Sequence, residues 1–426
     1  MQVQNRVVGK RPGMYYGWIV VVITFLTLLV AAGIRSMPGI LMMPLEDEFG
    51  WSRAGLSGVV SINIFLYGLM GPFAAAWMER FGIRRTMVFA LALLAVGLSL
   101  TTVMTSLWQL NLLWGVLMGL ATGALANVLG VTVANRWFVE RKGTVVGLLT
   151  ASAATGQLLF LPLLAKVIQE AGWRYSVWTA VIALFILIPV VAVLMRNDPE
   201  DVGQMPYGAS EHTRPAAFSG NIFLEPLRVL RIALKSGSFW LLAGTFFFCG
   251  FSTNGLIGTH LIPACGDFGI SEVTAAGLLA FMGLFDLVGT TLSGWLSDRF
   301  DSRWLLFWYY GFRGLSLIFL PQALDMGYAY MMIFAVFYGL DWIATVPPTV
   351  KLTAQNFAKE QVGMVYGWIV VAHQLGASVA AYEAGLLRQW FGSYGIAFVA
   401  AGMICIVAAL MATRVRVNRL SSAGQE

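Results

Sequence analysis

Twelve runs of apolar residues, each long enough to cross a bilayer, divide this chain six and six about one polar break. A span needs about 20 apolar residues wound into a helix, because hydrocarbon offers no partner to a free backbone N–H or C=O. The runs cover 16–43, 54–78, 86–106, 108–134, 144–167 and 175–195, then 239–263, 273–296, 304–323, 328–350, 362–386 and 394–413. Only 11% of the 426 residues are charged, against about 25% in soluble domains. The predicted fold class is an all-α membrane protein of twelve transmembrane helices in two pseudo-symmetric six-helix bundles. The first bundle covers 14–196 and the second 238–413, joined by a cytoplasmic linker at 197–237 and followed by a cytoplasmic tail at 414–426.

The two halves repeat each other. Glu79-Arg80-Phe81, with Arg84 behind it, closes the second run; Asp298-Arg299-Phe300, with Arg303 behind it, closes the eighth at an offset of 219. Gly119-Leu120 matches Gly339-Leu340 at 220, as Gly143, Gly147, Gly156 and Gly172 match Gly363, Gly367, Gly376 and Gly392. An internal repeat of this length in an apolar chain is a common plan of secondary transporters.

The net charge of +6 is sorted by topology rather than gathered for nucleic acid. With both termini inside, 21 of the 27 Lys and Arg residues fall in cytoplasmic segments. Arg53, Lys166, Arg174 and Arg388 fall outside, and Arg35 and Arg313 within spans. Positive charge resists translocation, so both termini are expected in the cytoplasm. Within the linker, residues 225–235 alternate apolar and basic at helical spacing, which predicts an amphipathic helix along the inner membrane face. The first run is too long for a cleavable signal and should remain as a span. Cys249, Cys265 and Cys405 lack ligand spacing and read as small buried apolar residues, so neither cofactor nor metal is expected.

Charge inside a span carries the functional information, since an ionised side chain at bilayer centre costs at least ~2.5–3.5 kcal/mol. Arg35 stands some 27 Å along the first helix from Gly17, at about 1.5 Å per residue. Asp286, Arg313 and Asp341 stand near the middles of the eighth, ninth and tenth helices. One reading pairs Asp286 with Arg313 merely to neutralise buried charge. The other gives Arg313 or Arg35 a substrate carboxylate, which the guanidinium fork matches at two points. Asp286 then takes the coupled proton. Uncharged candidates for the pocket are Asn63 and Tyr67, which share a face at i, i+4, with Asn127, Gln157, Asn254, His260 and His373. His212 is expected to be solvated. Small-residue runs at Gly143/Gly147 and Gly363/Gly367 predict close helix packing. Pro347-Pro348 should break or kink the tenth helix, because two backbone donors are missing.

The repeated acid-Arg-Phe loops and the twelve-helix plan resemble the major facilitator superfamily over the whole chain. Tyr16-Gly17-Trp18, Asn135-Arg136-Trp137-Phe138, Arg141-Lys142-Gly143 and Pro199-Glu200-Asp201-Val202-Gly203 resemble its monocarboxylate and oxalate/formate porter branch. The resemblance implies that helices 1, 4, 7 and 10 line a central cavity, which favours Arg35, Asn127, Asn254 and Asp341. It also implies that Glu79, Arg80, Arg84, Asp298, Arg299 and Arg303 form gating loops on the cytoplasmic side. The chain departs from the branch at Thr290, where relatives often carry an arginine four residues after the aspartate, and at Glu79 and Ala75 in the first loop.

The expected function is alternating-access transport of a small mono- or dicarboxylate with proton symport, by a monomer in a bacterial inner membrane with no nucleic-acid partner. Efflux or exchange of another metabolite or drug is the alternative, and a non-transporting sensor a weaker one. No Gly-x4-Gly-Lys-Ser/Thr loop supports a primary pump, and no histidine cluster or nucleophile elbow supports an enzyme.

Overall fold

The computed structural model describes residues 15–209, 224–358 and 361–416, without the side chains of Pro72, Ala75, Ala76, Asn127 and Ala154. The expected roles of the Asn127 side chain, of His212 and of the tail beyond residue 416 lie outside the described residues. Within them, twelve helical spans follow one another: α1 (Tyr16–Phe49), α2 (Arg53–Phe81), α3 (Ile83–Thr101), α4 (Leu107–Trp137), α5 (Lys142–Ala171), α6 (Trp173–Leu194), α7 (Gly237–Asp267), α8 (Glu272–Arg299), α9 (Ser302–Met326), α10 (Tyr328–Asn356), α11 (Val362–Phe391) and α12 (Gly395–Thr413). Eleven are long and apolar enough to cross a membrane by length and composition alone. The twelfth, α9, has the length but carries Arg313 among its aromatic residues. Large side chains such as Phe185, Ile186, Phe337 and Leu410 are more than half exposed. A water-soluble monomer does not present so broad an apolar surface; a bilayer covers it.

Ser52 and Ser271 start α2 and α8 by accepting the backbone N–H of Gly55 and Thr274. Asp301 does the same for α9 at the N–H of Arg303. Within the first half α1 packs on α5, α2 on α4 and α3 on α6; within the second α7 packs on α11, α8 on α10 and α9 on α12. The repeat is visible in the contacts. A Cβ at Gly156 would lie 2.3 Å from the carbonyl oxygen of Leu29, and one at Gly376 2.0 Å from that of Phe247. Glycine is required at both, because the backbones of α1 and α5, and of α7 and α11, touch there. Gly143, Gly147, Gly363 and Gly367 do not pack as the sequence spacing predicts. A Cβ at any of them would meet nothing within 4 Å. They lie on a face of α5 and α11 turned away from the packed one, since Val145, Leu149, Val365 and Ile369 at the same level are buried.

Four spans are interrupted at mid-depth. In α1 a turn at Met37 separates Tyr16–Ser36 from Pro38–Phe49. In α7 a π-helical stretch, Phe251–Ile257, ends 220 residues later at the matching point. In α4 a wide π stretch, Asn111–Met118, is followed by a break at residues 125–126. In α10 the helix stops at Asp341 and resumes at Val346, with Pro347 and Pro348 in the first turn of the new segment. The prolines thus restart the helix rather than kink it, since a first-turn proline sacrifices no helical hydrogen bond.

Three motifs read separately in the sequence form one strap on the side where α1 begins and α12 ends. The Tyr15 hydroxyl donates to the Trp137 carbonyl (2.7 Å), and burial pushes its phenol up to about 12, so it remains a donor. The Tyr207 N–H donates to the same carbonyl (2.8 Å) while its own carbonyl accepts from Val139 (2.9 Å). Asn197 accepts from the Arg84 N–H, and Gln204 from Tyr16, both at 3.0 Å. Tyr15, Trp18, Phe138 and Tyr207 close ring on ring around them. The predicted linker helix is present at Leu224–Ala233. It packs against the second half: Val229 and Ala233 are buried there, and Trp368 of α11 donates to the Pro226 carbonyl (2.8 Å).

Candidate functional site

The two halves meet over a cavity at the depth of the helix breaks. It holds about 580 Å³ of space, its open mouth included, and is lined by Arg35, Ser36, Pro38 and Gly39 of α1, Val60, Asn63, Ile64 and Tyr67 of α2, Gln157 of α5, Asn254, Gly258 and Thr259 of α7, Trp342 of α10 and Gln374 of α11. Arg35 is the one charged side chain among these residues. Its guanidinium lies 4.8 Å from the centre of the Tyr67 ring, and no carboxylate among the described residues pairs with it. The face of an aromatic ring holds a cation without neutralising it, so the charge stays available to a ligand. Asn63 spends its amide N–H on the Trp114 carbonyl (2.7 Å), one of those loosened by the π stretch of α4. Asn254 sits in the π stretch of α7, where Thr259 donates to its carbonyl (2.9 Å). Wide helical turns of this kind expose backbone and side-chain polar groups at functional sites.

Arg35, Asn63, Tyr67 and Asn254 therefore come together as the sequence predicts, and Gln157 joins them. Arg313 does not. It is fully buried inside the second half, outside the cavity lining. Its partner is Asp341 (2.9 Å), not Asp286. It also donates to the carbonyls of Asp341 and Trp342 and to Cys249 Sγ. Asp286 is on the other flank of the same break, accepting from the Ile343 N–H and the Thr290 hydroxyl, each at 2.9 Å. Ser293 donates to the Ala344 carbonyl, and Thr345 contacts Cys249. The buried charges are placed by the gap in α10. The gap leaves the Ile343 N–H and the carbonyls of Trp342 and Ala344 to be met by side chains of neighbouring helices, because a bilayer offers them no partner. Asp286, Arg313 and Ser293 meet them, and Asp341, at the end of the first segment of α10, holds Arg313 in place, so neither aspartate nor Arg313 is a wall residue of the cavity. Trp342 is the part of the break that reaches the cavity.

The histidines also move. His373 turns to α7, with its ring 4.8 Å from Phe246, while its neighbour Gln374 takes the cavity position. His260 is completely buried on the side away from the chain ends. One ring nitrogen lies 2.7 Å from the Ala381 carbonyl, the other 3.2 Å from the Tyr394 hydroxyl. Arg53 reaches the same hydroxyl (3.1 Å) and pairs with Glu46. This chain of contacts ties α1 and α2 to α7, α11 and α12. Beside it Ser61 meets Ser378 (2.9 Å), and Gly39 of α1 rests on the backbone of Gly258 and Thr259. Met37, Ile40, Leu41 and Met42 fill the layer beneath. The far side of the cavity is sealed.

On the near side lie the repeated loops. Arg303 is engaged by Asp301 within its own loop (2.6 Å), an interaction that holds the Asp301 carboxyl below the usual range. Arg80 lies over Phe81 and Arg299 over Trp295. Among the described residues Glu79 and Asp298 form no ion pair, and Arg84 uses only its backbone N–H. If the far-side contacts hold this state, Arg53→Ala is expected to raise the rate at which a cysteine at Ser378 is alkylated by a membrane-impermeant maleimide at least about tenfold, because a buried charged hydrogen bond is lost. An unchanged labelling rate would show that the Arg53 contacts do not keep the far side shut.

Comparison with known proteins accounts for the architecture. The family profile of the Major Facilitator Superfamily matches residues 23–381 and again 254–425. The "Uncharacterized MFS-type transporter YcxA" of Bacillus subtilis is 26% identical over 396 residues, which cover 92% of both chains. "Monocarboxylate transporter 13" of Rattus norvegicus is 25% identical over 398 residues, 92% of this chain and 87% of that one. Among solved structures, a D-xylose-proton symporter superposes with a TM-score of 0.74 at 13% identity, covering 95% of this chain and 99% of the other. A bacterial homolog of the human lysosomal transporter Spinster, in an inward-facing and unoccupied conformation, gives 0.72 at 16% identity, covering 97% and 100%. Two repeated six-helix halves around one polar cavity, closed on one side, thus carry the profile of a known family: this chain belongs to the major facilitator superfamily, a multi-pass membrane transporter rather than an enzyme.

Proposed function

We propose that this protein carries a small organic monoanion, a monocarboxylate, across a bacterial inner membrane by alternating access and in symport with a proton. The observation that carries the reading is the unpaired Arg35 at the cavity wall, the one charge among its lining residues. A lone guanidinium in a site partly screened from water attracts a carboxylate and pairs with it in two-point fashion. One cation suits one carboxylate, so a dicarboxylate fits less well than the sequence alone allows. The resemblance to monocarboxylate transporters in rat and other animals supports the same class.

The positive-inside distribution assigns the side with the chain ends, linker and repeated loops to the cytoplasm. On that assignment the sealed side is extracellular and the structure is inward-facing. Proton coupling rests on Asp286 and Asp341. Asp286 accepts from the Ile343 N–H of the gap in α10, and Asp341 accepts from Arg313, which donates to the Trp342 carbonyl. Protonating Asp286 weakens its hold on the gap and protonating Asp341 loosens Arg313, and either change frees Trp342 to move with the substrate.

Uptake of radiolabelled lactate and pyruvate into proteoliposomes tests both parts. With the lumen alkaline and the outside acidic, uptake is expected to rise at least several-fold over the symmetric condition and to collapse with a protonophore. Uptake indifferent to the gradient removes the proton from the mechanism. Equal uptake of a neutral analogue such as lactamide removes the anion. The exchange or efflux alternative is favoured instead if labelled lactate enters only when unlabelled carboxylate is preloaded.

A further inference from the structure

The linker helix Leu224–Ala233 buries only one of its faces in the protein. Pro226, Val229 and Ala233 are buried at i, i+3 and i+7. At about 100° per residue, the stripe opposite them holds Arg228, Arg231 and Lys235, all exposed. Between the two stripes stand Leu227 and Leu234, seven residues apart and 46% and 41% exposed. Leu234 prolongs the helix, its N–H bonded to the Leu230 carbonyl at 2.9 Å. A buried, an apolar and a basic stripe in that order suit a helix at the edge of a bilayer. The leucines enter the acyl layer, and the long basic side chains extend to the headgroups.

The level of the helix supports this. Trp240, at the start of α7, is exposed and donates its indole N–H to the Leu234 carbonyl (2.9 Å). Tryptophans collect where a bilayer meets water. Charge then selects the lipid. Arg228 has Glu225 at 3.9 Å, a loose surface pair. Arg231, Lys235, Arg414 and Arg416 form no ion pair among the described residues. Val415 is buried in the same cluster as Val229 and Ala233, so the exposed arginines on either side of it belong to the same end of the second half.

We infer that this surface is a docking site for anionic phospholipid headgroups, with the leucine stripe in the acyl layer beside them. A soluble acidic partner would answer the cations and leave the leucines and Trp240 in water. A zwitterionic lipid would cover the leucines and leave the cations without a net anion. The contact also reaches the transport machinery. Trp368 of α11 holds the Pro226 carbonyl (2.8 Å), and Gln374 of the same helix lines the cavity. Lipid that grips the linker therefore grips a helix of the cavity wall. None of this depends on what the cavity carries.

A bimane label on Leu227→Cys tests it, since the three native cysteines are buried. The protein is placed in phosphatidylcholine nanodiscs that carry the same mole fraction of either acyl-brominated phosphatidylglycerol or acyl-brominated phosphatidylcholine. The brominated phosphatidylglycerol is expected to quench the label at least about threefold more, because the cations draw it to the helix. High salt should reduce the excess. Arg228→Gln/Arg231→Gln/Lys235→Gln should bring the two lipids to equal quenching. If that variant does not accumulate, Arg231→Gln/Lys235→Gln should lower the excess by about half or more. Equal quenching by the two lipids in the wild type, or an excess kept in the charge variants, overturns the inference. So does quenching by aqueous acrylamide and by neither lipid, which would turn the surface to water and to a soluble partner.

Discussion

Arg35→Gln is expected to lower kcat/KM for carboxylate uptake about 100-fold or more while leaving the fold intact. Removing one partner of a desolvated, charge-assisted contact typically costs about 2–5 kcal/mol, and each 1.36 kcal/mol is about tenfold. The fold should tolerate the change because Arg35 has no ion-pair partner among the described residues. What it loses internally is the contact with Tyr67, about 0.5–2 kcal/mol. Arg35→Lys should recover little, since an ammonium keeps the charge but not the planar fork. Uptake into proteoliposomes, read beside the thermal midpoint of the same preparations, checks both halves of this expectation. A large fall in midpoint with proportionate loss of uptake would make Arg35 a structural residue instead.

Arg313 should behave in the opposite way. Arg313→Met is expected to destabilise the protein by about 3–5 kcal/mol, the usual cost of leaving one member of a buried pair uncompensated. It strands the Asp341 carboxylate and uncovers the carbonyls of Asp341 and Trp342 at the gap in α10. Asp341→Asn alone should cost less, because the neutral amide still accepts from Arg313. The double variant Arg313→Met/Asp341→Asn should be more stable than the sum of the singles allows, since residues within one network couple. Thermal unfolding of the four proteins in one detergent measures this. Additive losses would mean that the pair is not the unit that holds the gap, and a stable Arg313→Met that does not transport would return Arg313 to the cargo pathway.

The contrast between these two arginines shows where the sequence was informative. Depth is legible in a sequence, because residue count along an apolar run converts to distance. Both arginines could be placed inside the membrane and both required a reason. Partnership is not legible in the same way. Asp286 and Asp341 lie at similar depth, and the choice between them for Arg313 was made by a gap in α10 four residues long. The prolines announced that gap, but the carbonyls it frees lie before them, at Asp341 and Trp342. Trp342 itself reads as one more membrane tryptophan until the break turns it into the cavity.

Spacing was similarly half informative. The small-residue spacing pointed to Gly143, Gly147, Gly363 and Gly367, which meet nothing, while the backbone contacts fall at Gly156 and Gly376, which the repeat aligned without assigning them to packing. Spacing puts small residues on one face of a helix without saying whether that face meets a neighbour. The same limit separates His373 from Gln374. Adjacent residues on a helix differ by about 100° in direction, and the sequence points to His373 for the cavity position that Gln374 takes. The branch motifs at Tyr16, Trp137 and Pro199 were visible as separate words. Only the hydrogen bonds through Tyr207 and Gln204 show that they build one strap.

The most direct measurement is the position of a bound anion. Diffraction from crystals soaked with 4-bromomandelate, collected at the bromine edge, should show one strong anomalous peak inside the cavity beside Trp342, with the carboxylate within hydrogen-bonding distance of the Arg35 guanidinium. A cavity empty of bromine at saturating ligand, or a carboxylate resting on Arg313 or on no cation, would contradict the assignment of Arg35 as the residue that receives the cargo.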